Sequence, residues 1–261
     1  MASRRNVILG LGGASLALVA GGGGWTVTRI PTTAIVPWRL DPTPPADVRL
    51  DAFRHAILAP NPHNRQPWQI KLVGTDEAII TCDLDKRLPE TDPFDRQIVI
   101  GFGCFIELAA IAATQRGVRV DVTPFPEGAG TPRLDARPLA RLKFVRDPSV
   151  QPSLLAAAIT KRRSVKEPFD PARPLRDDDA AALNAHASNG LRWASTRKPE
   201  EVSAITKIAL DAWRLESRTH RTMKESVDLM RIGAREIDAS PDGVALKGPF
   251  IEALYATGSL T

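Results

Sequence analysis

Apolar positions along this chain follow two periods, one near 3.6 residues and one of two, which separate amphipathic helix from half-buried strand. A helix is expected from Asp47 to Leu58, because Val48, Phe53, Ala56 and Ile57 share one face and Pro60 stops it. Trp68, Ile70 and Leu72 then alternate with Gln69 and Lys71, a strand that turns at Gly74-Thr75-Asp76 into a second, Ala78 to Cys82. The next helix starts near Asp95 and ends at Gly117, with Phe102, Phe105, Ile106, Ala109 and Ala113 on one face. Asp92 before Pro93 suits a cap or a turn, and the pattern marks the helix as the central buried one. Gly101 and Gly103 lower its helix propensity, and tight packing is the simplest reason for them. They do not form a dinucleotide fingerprint, since the third Gly is absent and no strand leads in. Val118, Val120 and Val122 make another strand, a Pro/Gly-rich loop runs from Pro124 to Pro138, and Leu139 to Val145 closes the first set of elements.

After Pro148 and Pro152 the pattern becomes mainly helical. Helices are expected from Ser153 to about Arg162, from Ala180 to Ala187 behind three aspartates, and from Glu200 to about Ala239, with a break near Ser217-Arg218-Thr219. The last carries two stripes, Ile205, Ile208, Ala209 and Ala212, then Met223, Val227, Met230, Ala234 and Ile237, which read as core. Leu191-Arg192-Trp193 is a short strand, and Pro241-Asp242-Gly243 a turn. The fold class is α+β.

Composition narrows the function. With 261 residues, 43% of them hydrophobic, the chain can bury a substantial core. The formal charge of +5 is spread along the chain rather than clustered with aromatics, so no nucleic-acid partner is indicated. Cys82 and Cys104 lack metal-ligand spacing to the four histidines. They read as buried fillers, and a single disulfide becomes available if the protein is exported. No Ser-His-acid triad can be assigned.

The first 30 residues stand apart from the fold. Ser3-Arg4-Arg5-Asn6-Val7-Ile8-Leu9 followed by an apolar, Gly-rich run to about Ala20 resembles a twin-arginine export signal, with Leu9 where Lys is often found. An uncleaved membrane anchor facing the periplasm is the competing reading. Residues 31–46 form a Pro-rich linker.

Two stretches carry candidate chemistry. Ala59-Pro60-Asn61-Pro62-His63-Asn64-Arg65-Gln66-Pro67-Trp68 lies between a helix and a strand, and its amides offer the paired donors and acceptors that a flat heterocycle needs. The alternative is a Pro-Asn connector. His63 reads as a residue hydrogen-bonded within its own loop. The second stretch is Lys161-Arg162-Arg163-Ser164-Val165-Lys166-Glu167-Pro168-Phe169. Its cations either complement a helix dipole or, with the hydroxyl, grip a phosphate.

The first stretch resembles the P-S-x-x-N-x-Q-P-W segment of the FMN-dependent nitroreductase superfamily: Asn61 stands for the usual Ser, while Asn64, Gln66, Pro67 and Trp68 match. The second resembles the family's R-[RH]-S-x-[RK]-x-F element, with Pro168 inserted. The resemblance implies FMN contacts from Pro60, Asn61, Asn64, Gln66, Arg162, Arg163, Ser164 and Lys166. One motif in each half, in this order, is similar to the Acg-like branch, in which two fused half-units form an internal pseudo-dimer around one composite flavin site. The halves are then residues 47–147 and 148–261, the second lacking the strands, central helix and basic residues that the family carries further on. The implied activity is an exported FMN oxidoreductase that passes electrons from an unidentified donor to a nitroaromatic, quinone or similar small acceptor. The rival readings are a protein that sequesters FMN without turnover and an inactive truncated relative.

Overall fold

The structure, a computed structural model, describes residues 30–165, 168–170, 172–185 and 194–259. The sequence pattern divides the chain after residue 147. The described residues form two compact units: 30–162 together with 224–259, and the described part of 163–223.

The first unit is built on α1 (Val48–Ala56), β1 (Trp68–Val73), β2 (Glu77–Cys82), α2 (Arg96–Thr114), β3 (Val118–Pro124) and β4 (Ala140–Arg146). Asp47 starts α1 as its cap, its carboxylate accepting from Arg49 N at 2.9 Å. The four strands form one antiparallel sheet in the order β1-β2-β4-β3. Its register pairs Ala78 with Leu142 and Ile80 with Ala140, so the alternate residues of the two central strands reach the same face and are buried there. The two helices pack over that face. Phe53 of α1 stacks on Phe105 of α2 with centroids 5.8 Å apart, and Trp68 stacks on the same ring at 4.9 Å. A second tie is Arg49, whose guanidinium donates to the carbonyls of Val73, Gly74 and Glu77 at 3.0–3.2 Å and clasps the β1–β2 hairpin to α1.

The start of α2 is set by two carboxylates. Asp92 accepts from Arg96 N at 2.9 Å and Ile98 N at 3.0 Å, satisfying two of the helix's first N–H groups. Asp95 is fully buried and receives Arg133 Nη2 at 2.8 Å and Leu134 N at 2.9 Å, which brings the long 124–139 connection onto the helix start. Among the described helices α2 alone is long and apolar enough to cross a membrane, yet its Ile98, Phe102, Phe105 and Ala109 lie in this core. The face expected to be buried is so, and the outer face carries Ile100, 66% exposed, and an open Gly103, where tight packing is the expected reason for the glycine. Only one side of α2 meets the sheet and α1.

The expected helix from Ser153 is reduced to a single turn, α3 (Ala156–Ile159), with Leu154 94% exposed. In the second unit stand α4 (Asp177–Ala185), α5 (Pro199–Arg218) and the first residues of α6 (His220–Asp228). The break expected near Thr219 occurs there, as Thr219 leaves the helical region at φ −86 and ψ 108. Beyond α6 the helical expectation is interrupted by one short strand and then resumes to its expected end at Ala239. Met230–Ile232 is β5, Gly233–Ala239 is α7, Val244–Leu246 is β6 paired parallel with β5, and Pro249–Ala256 is α8. Gly233 at φ 78 breaks the helical path, and a Cβ there would sit 3.0 Å from the buried Glu252 carboxylate. The Met stripe is therefore split: Ala234 and Ile237 are buried, while Met223 and Val227 are exposed. The expected short strand at 191–193 lies outside the described residues. Cys82 and Cys104 are free thiols, and burial pushes the Cys82 thiol up to about 12, leaving it inert.

Removing the closest partner of a buried carboxylate exposes its desolvation cost, which here is only partly offset by Arg87, whose Nη1 lies 3.7 Å from Asp95 Oδ2. Arg133→Ala is expected to destabilise the fold by on the order of 3 kcal/mol. Asp92→Ala, which removes only a cap, should cost about 1 kcal/mol. Urea denaturation followed by circular dichroism checks both, and equal losses would contradict the central place given to Asp95.

Candidate functional site

The 59–68 loop leaves α1 and crosses the flank of α2. Pro62–Asn64 forms a tight 3-10 turn, and His63, Asn64 and Gln66 all take left-handed backbone angles, with φ of 46, 52 and 49. Three such non-glycine residues in four positions store conformational strain, which persists only where surrounding contacts over-determine it. Those contacts are present. Asn61 Oδ1 accepts from Gln66 N at 2.7 Å and its Nδ2 donates to Ala59 O at 3.1 Å, folding the loop across itself. Gly101 provides the seat: a Cβ there would lie 3.1 Å from Asn61 Cβ and 3.4 Å from Pro62 Cδ. Gly103, by contrast, faces open space.

The remaining anchors come from the far end of the chain. Asn64 Nδ2 and Gln66 Nε2 both donate to the Pro241 carbonyl, at 3.1 and 3.0 Å, and Gly243 N donates to Asn64 O at 3.3 Å. Arg65 pairs with Asp242 at 2.5 Å and also donates to the carbonyls of Lys86 and Asp85. His63 Nε2 lies 3.3 Å from Ser226 Oγ on α6, a partner outside its own loop. Burial acts to raise the Asp242 carboxyl, but the Ser240 hydroxyl and the charges of Arg65, Lys86 and Arg231 outweigh it and hold the group below its ordinary range.

The predicted site residues separate as follows. Pro60, Asn61, Asn64 and Gln66 share the loop, Asn64 exposed and the others half-buried. Arg162 reaches the same neighbourhood: its Nη2 donates to Leu58 O at 2.8 Å, two residues before Pro60, and its guanidinium lies 5.9 Å from the Trp38 ring centroid. Arg163 and Ser164 are exposed residues of the second unit, and Lys166 lies outside the described residues. Asp242, Ser226 and the Pro241 carbonyl were not singled out by sequence reasoning. The turn signal Pro241-Asp242-Gly243 was visible, but nothing local ties Asp242 to Arg65, 177 positions away. A groove of about 610 Å3 lined by Val36, Leu40, Pro44, Arg54 and Ile57 includes none of these residues. Among the described residues no group of His, Cys, Asp and Glu could hold a metal ion.

Two outcomes test this geometry. Gly103→Ala adds a methyl into open space within a helix and should stabilise by about 0.5–1 kcal/mol, whereas Gly101→Val drives side-chain atoms into Asn61 and should destabilise by about 1–3 kcal/mol. Denaturant midpoints separate the two signs. Asp242, with its lowered folded-state pKa, contributes stability that is present above its unfolded value near 3.8 and is lost as pH falls through the folded value. Asp242→Asn should therefore be less stable than the parent at pH 6, with the difference shrinking below about pH 4 in thermal melts across that range.

No family model matches the chain. It is similar to proteins of Mycobacterium tuberculosis: 27% identical over 150 residues to one named putative NAD(P)H nitroreductase Rv3131, and 29% identical over 124 residues to one named putative NAD(P)H nitroreductase acg. The matches cover 56% and 47% of this chain but only 41% and 36% of those relatives, so the chain spans less than half the length of the curated relatives it matches. The mixed helix-and-sheet unit agrees with that kinship in fold class, and the chain is a distant relative of proteins named as nitroreductases.

Proposed function

We propose that this protein is an FMN-dependent oxidoreductase of nitroreductase type, exported through its twin-arginine-like leader. One observation carries the reading: Arg162, from the second flavin-like motif, is hydrogen-bonded at 2.8 Å to Leu58, at the head of the first. Two stretches a hundred positions apart, each resembling a flavin-contacting element, therefore share a locality at that residue. The kinship with named nitroreductases supports the same class of chemistry.

The donor set of the loop suits FMN. The amide oxygens of Asn64 and Gln66 accept no hydrogen bond among the described residues; the Asn64 NH2 gives one N–H to Pro241, while the Gln66 NH2 donates to Pro241 and, at 3.4 Å, to the Asn64 carbonyl. Such groups can read a pyrimidine edge. Pro60 and Asn61 shape the loop backbone that would face it, and Arg162 adds a fixed positive charge that favours the anionic reduced ring. In the sequence, Arg163, Ser164 and Lys166 follow closely, and the resemblance assigns FMN contacts to all three, with Ser164 and Lys166 at the ribityl chain and the pyrimidine edge. FMN, when bound, supplies the electron uptake and release, and the protein supplies orientation and charge. The two fused half-units and the periplasmic location belong to this proposal, with a small nitroaromatic or quinone as acceptor.

The pinning of Asn64 and Gln66 to Pro241 favours a second reading, in which FMN is held without turnover. Visible absorbance of the purified protein, followed by titration with FMN, distinguishes the possibilities. A bound-flavin spectrum is expected, with affinity reduced about tenfold or more in Gln66→Ala/Arg162→Ala through loss of contacts to a charged group. Bound flavin that no reduced nicotinamide or artificial donor can reduce would select the sequestering role. A folded sample that binds no flavin would overturn both.

A further inference from the structure

The Pro-rich stretch that follows residue 30 is held down along its length. At its head, the half-buried carboxylate of Asp238 on α7 accepts from Thr32 N at 2.8 Å, Thr33 N at 3.0 Å, Ala34 N at 2.9 Å and the Thr32 hydroxyl at 3.0 Å. Successive backbone N–H groups turned on one anion form a nest, and bonds to an ionised acceptor are among the stronger ones. Those N–H groups, Ala34's foremost, hold the Asp238 carboxyl below its ordinary range. Further on, Arg54 of α1 donates to Asp41 O at 2.7 Å, and Arg116 donates to Pro45 O at 3.2 Å. Residues 32–45 are therefore a strap with three anchors.

Between the first two anchors the strap makes one 3-10 turn, Val36–Trp38. Trp38 is half-buried and packs against the hydrophobic core. Its ring centroid lies 5.9 Å from the guanidinium carbon of Arg162, within the range of a cation–π contact. The Leu58 carbonyl fixes Nη2 of the same guanidinium at 2.8 Å. A planar fork held by a carbonyl and by a ring face has lost rotamer freedom before any ligand arrives.

We infer that Trp38 is a positioning residue for Arg162, and that the Asp238 clasp, by seating the strap, sets how firmly the candidate flavin site holds its ligand. The inference rests on the reading of Arg162 as a flavin contact. It makes affinity depend on residues that belong to neither flavin-like motif.

FMN titrations of the full chain test this in Trp38→Ala, Trp38→Phe, Asp238→Ala and Arg162→Ala. Trp38→Ala and Asp238→Ala should each weaken binding by roughly threefold, the scale of one partly exposed cation–π contact. Trp38→Phe, which keeps a ring face, should lie nearer the parent. In an Arg162→Ala background neither Trp38→Ala nor Asp238→Ala should cost anything more, because their effect passes through that guanidinium. A strap that only supports the fold would give the same loss in both backgrounds, which would overturn the inference.

Two readouts need no flavin. Arg162→Ala should change the tryptophan emission of the parent and leave that of Trp38→Phe unaltered. Asp238→Ala should speed trypsin cleavage after Arg39, an exposed residue of the strap. An emission change that persists without Trp38, or cleavage at the parent rate, would sink the inference whether or not FMN binds. A parent that binds no FMN, with both of these readouts as expected, removes the flavin reading while the positioning of Arg162 by Trp38 stands.

Discussion

The buried carboxylate of Asp95 is the constraint on which the first unit depends. A charge removed from water costs several kcal/mol unless charge-assisted hydrogen bonds replace the lost solvation. Here Arg133 and the Leu134 N–H supply them, so the helix start and the far-off 131–134 segment have to be brought together. Arg133 keeps 28% of its side chain exposed, which moderates the desolvation of the pair relative to a wholly buried one. With its N-terminus fixed there and by Asp92, α2 presents Phe102 and Phe105 to the sheet and Gly101 to the 59–68 loop.

The loop depends on that placement. Its left-handed residues are costly in isolation, and no single neighbour holds them. The seat at Gly101, the internal bonds of Asn61 and the turn at Pro241–Gly243 act together, so the conformation is a property of the assembled unit. The same arrangement places a functional tension in the loop. Amides suited to a heterocycle already give one donor each to Pro241, which makes the 240–243 turn part of the site's chemistry as well as its support.

The second unit shows the opposite situation. It has helices with good local signals, three acids at the start of α4 and Pro at the start of α5, but among its described residues almost nothing is buried. Local propensity can specify a helix, while stability comes mainly from packing its apolar face.

By itself the sequence determined what local rules can reach. The hairpin of β1 and β2, the strands at 118 and 139, the caps at Asp47 and Asp92 and the break near Thr219 follow from alternation, turn residues and capping chemistry, and the structure has them. The two candidate motifs were legible as residue types, because forked donors and adjacent cations are visible without a fold. What only the tertiary structure decided were relations between distant positions. β5 and β6 are three-residue strands that exist through each other, too short for a period to register. Arg65 meets Asp242, and Arg162 meets Leu58, across 177 and 104 positions, and no local pattern encodes such a distance. Gly101 and Gly103 look alike in the chain, yet one supports the loop and the other faces open space, since a glycine's meaning is set by what approaches it.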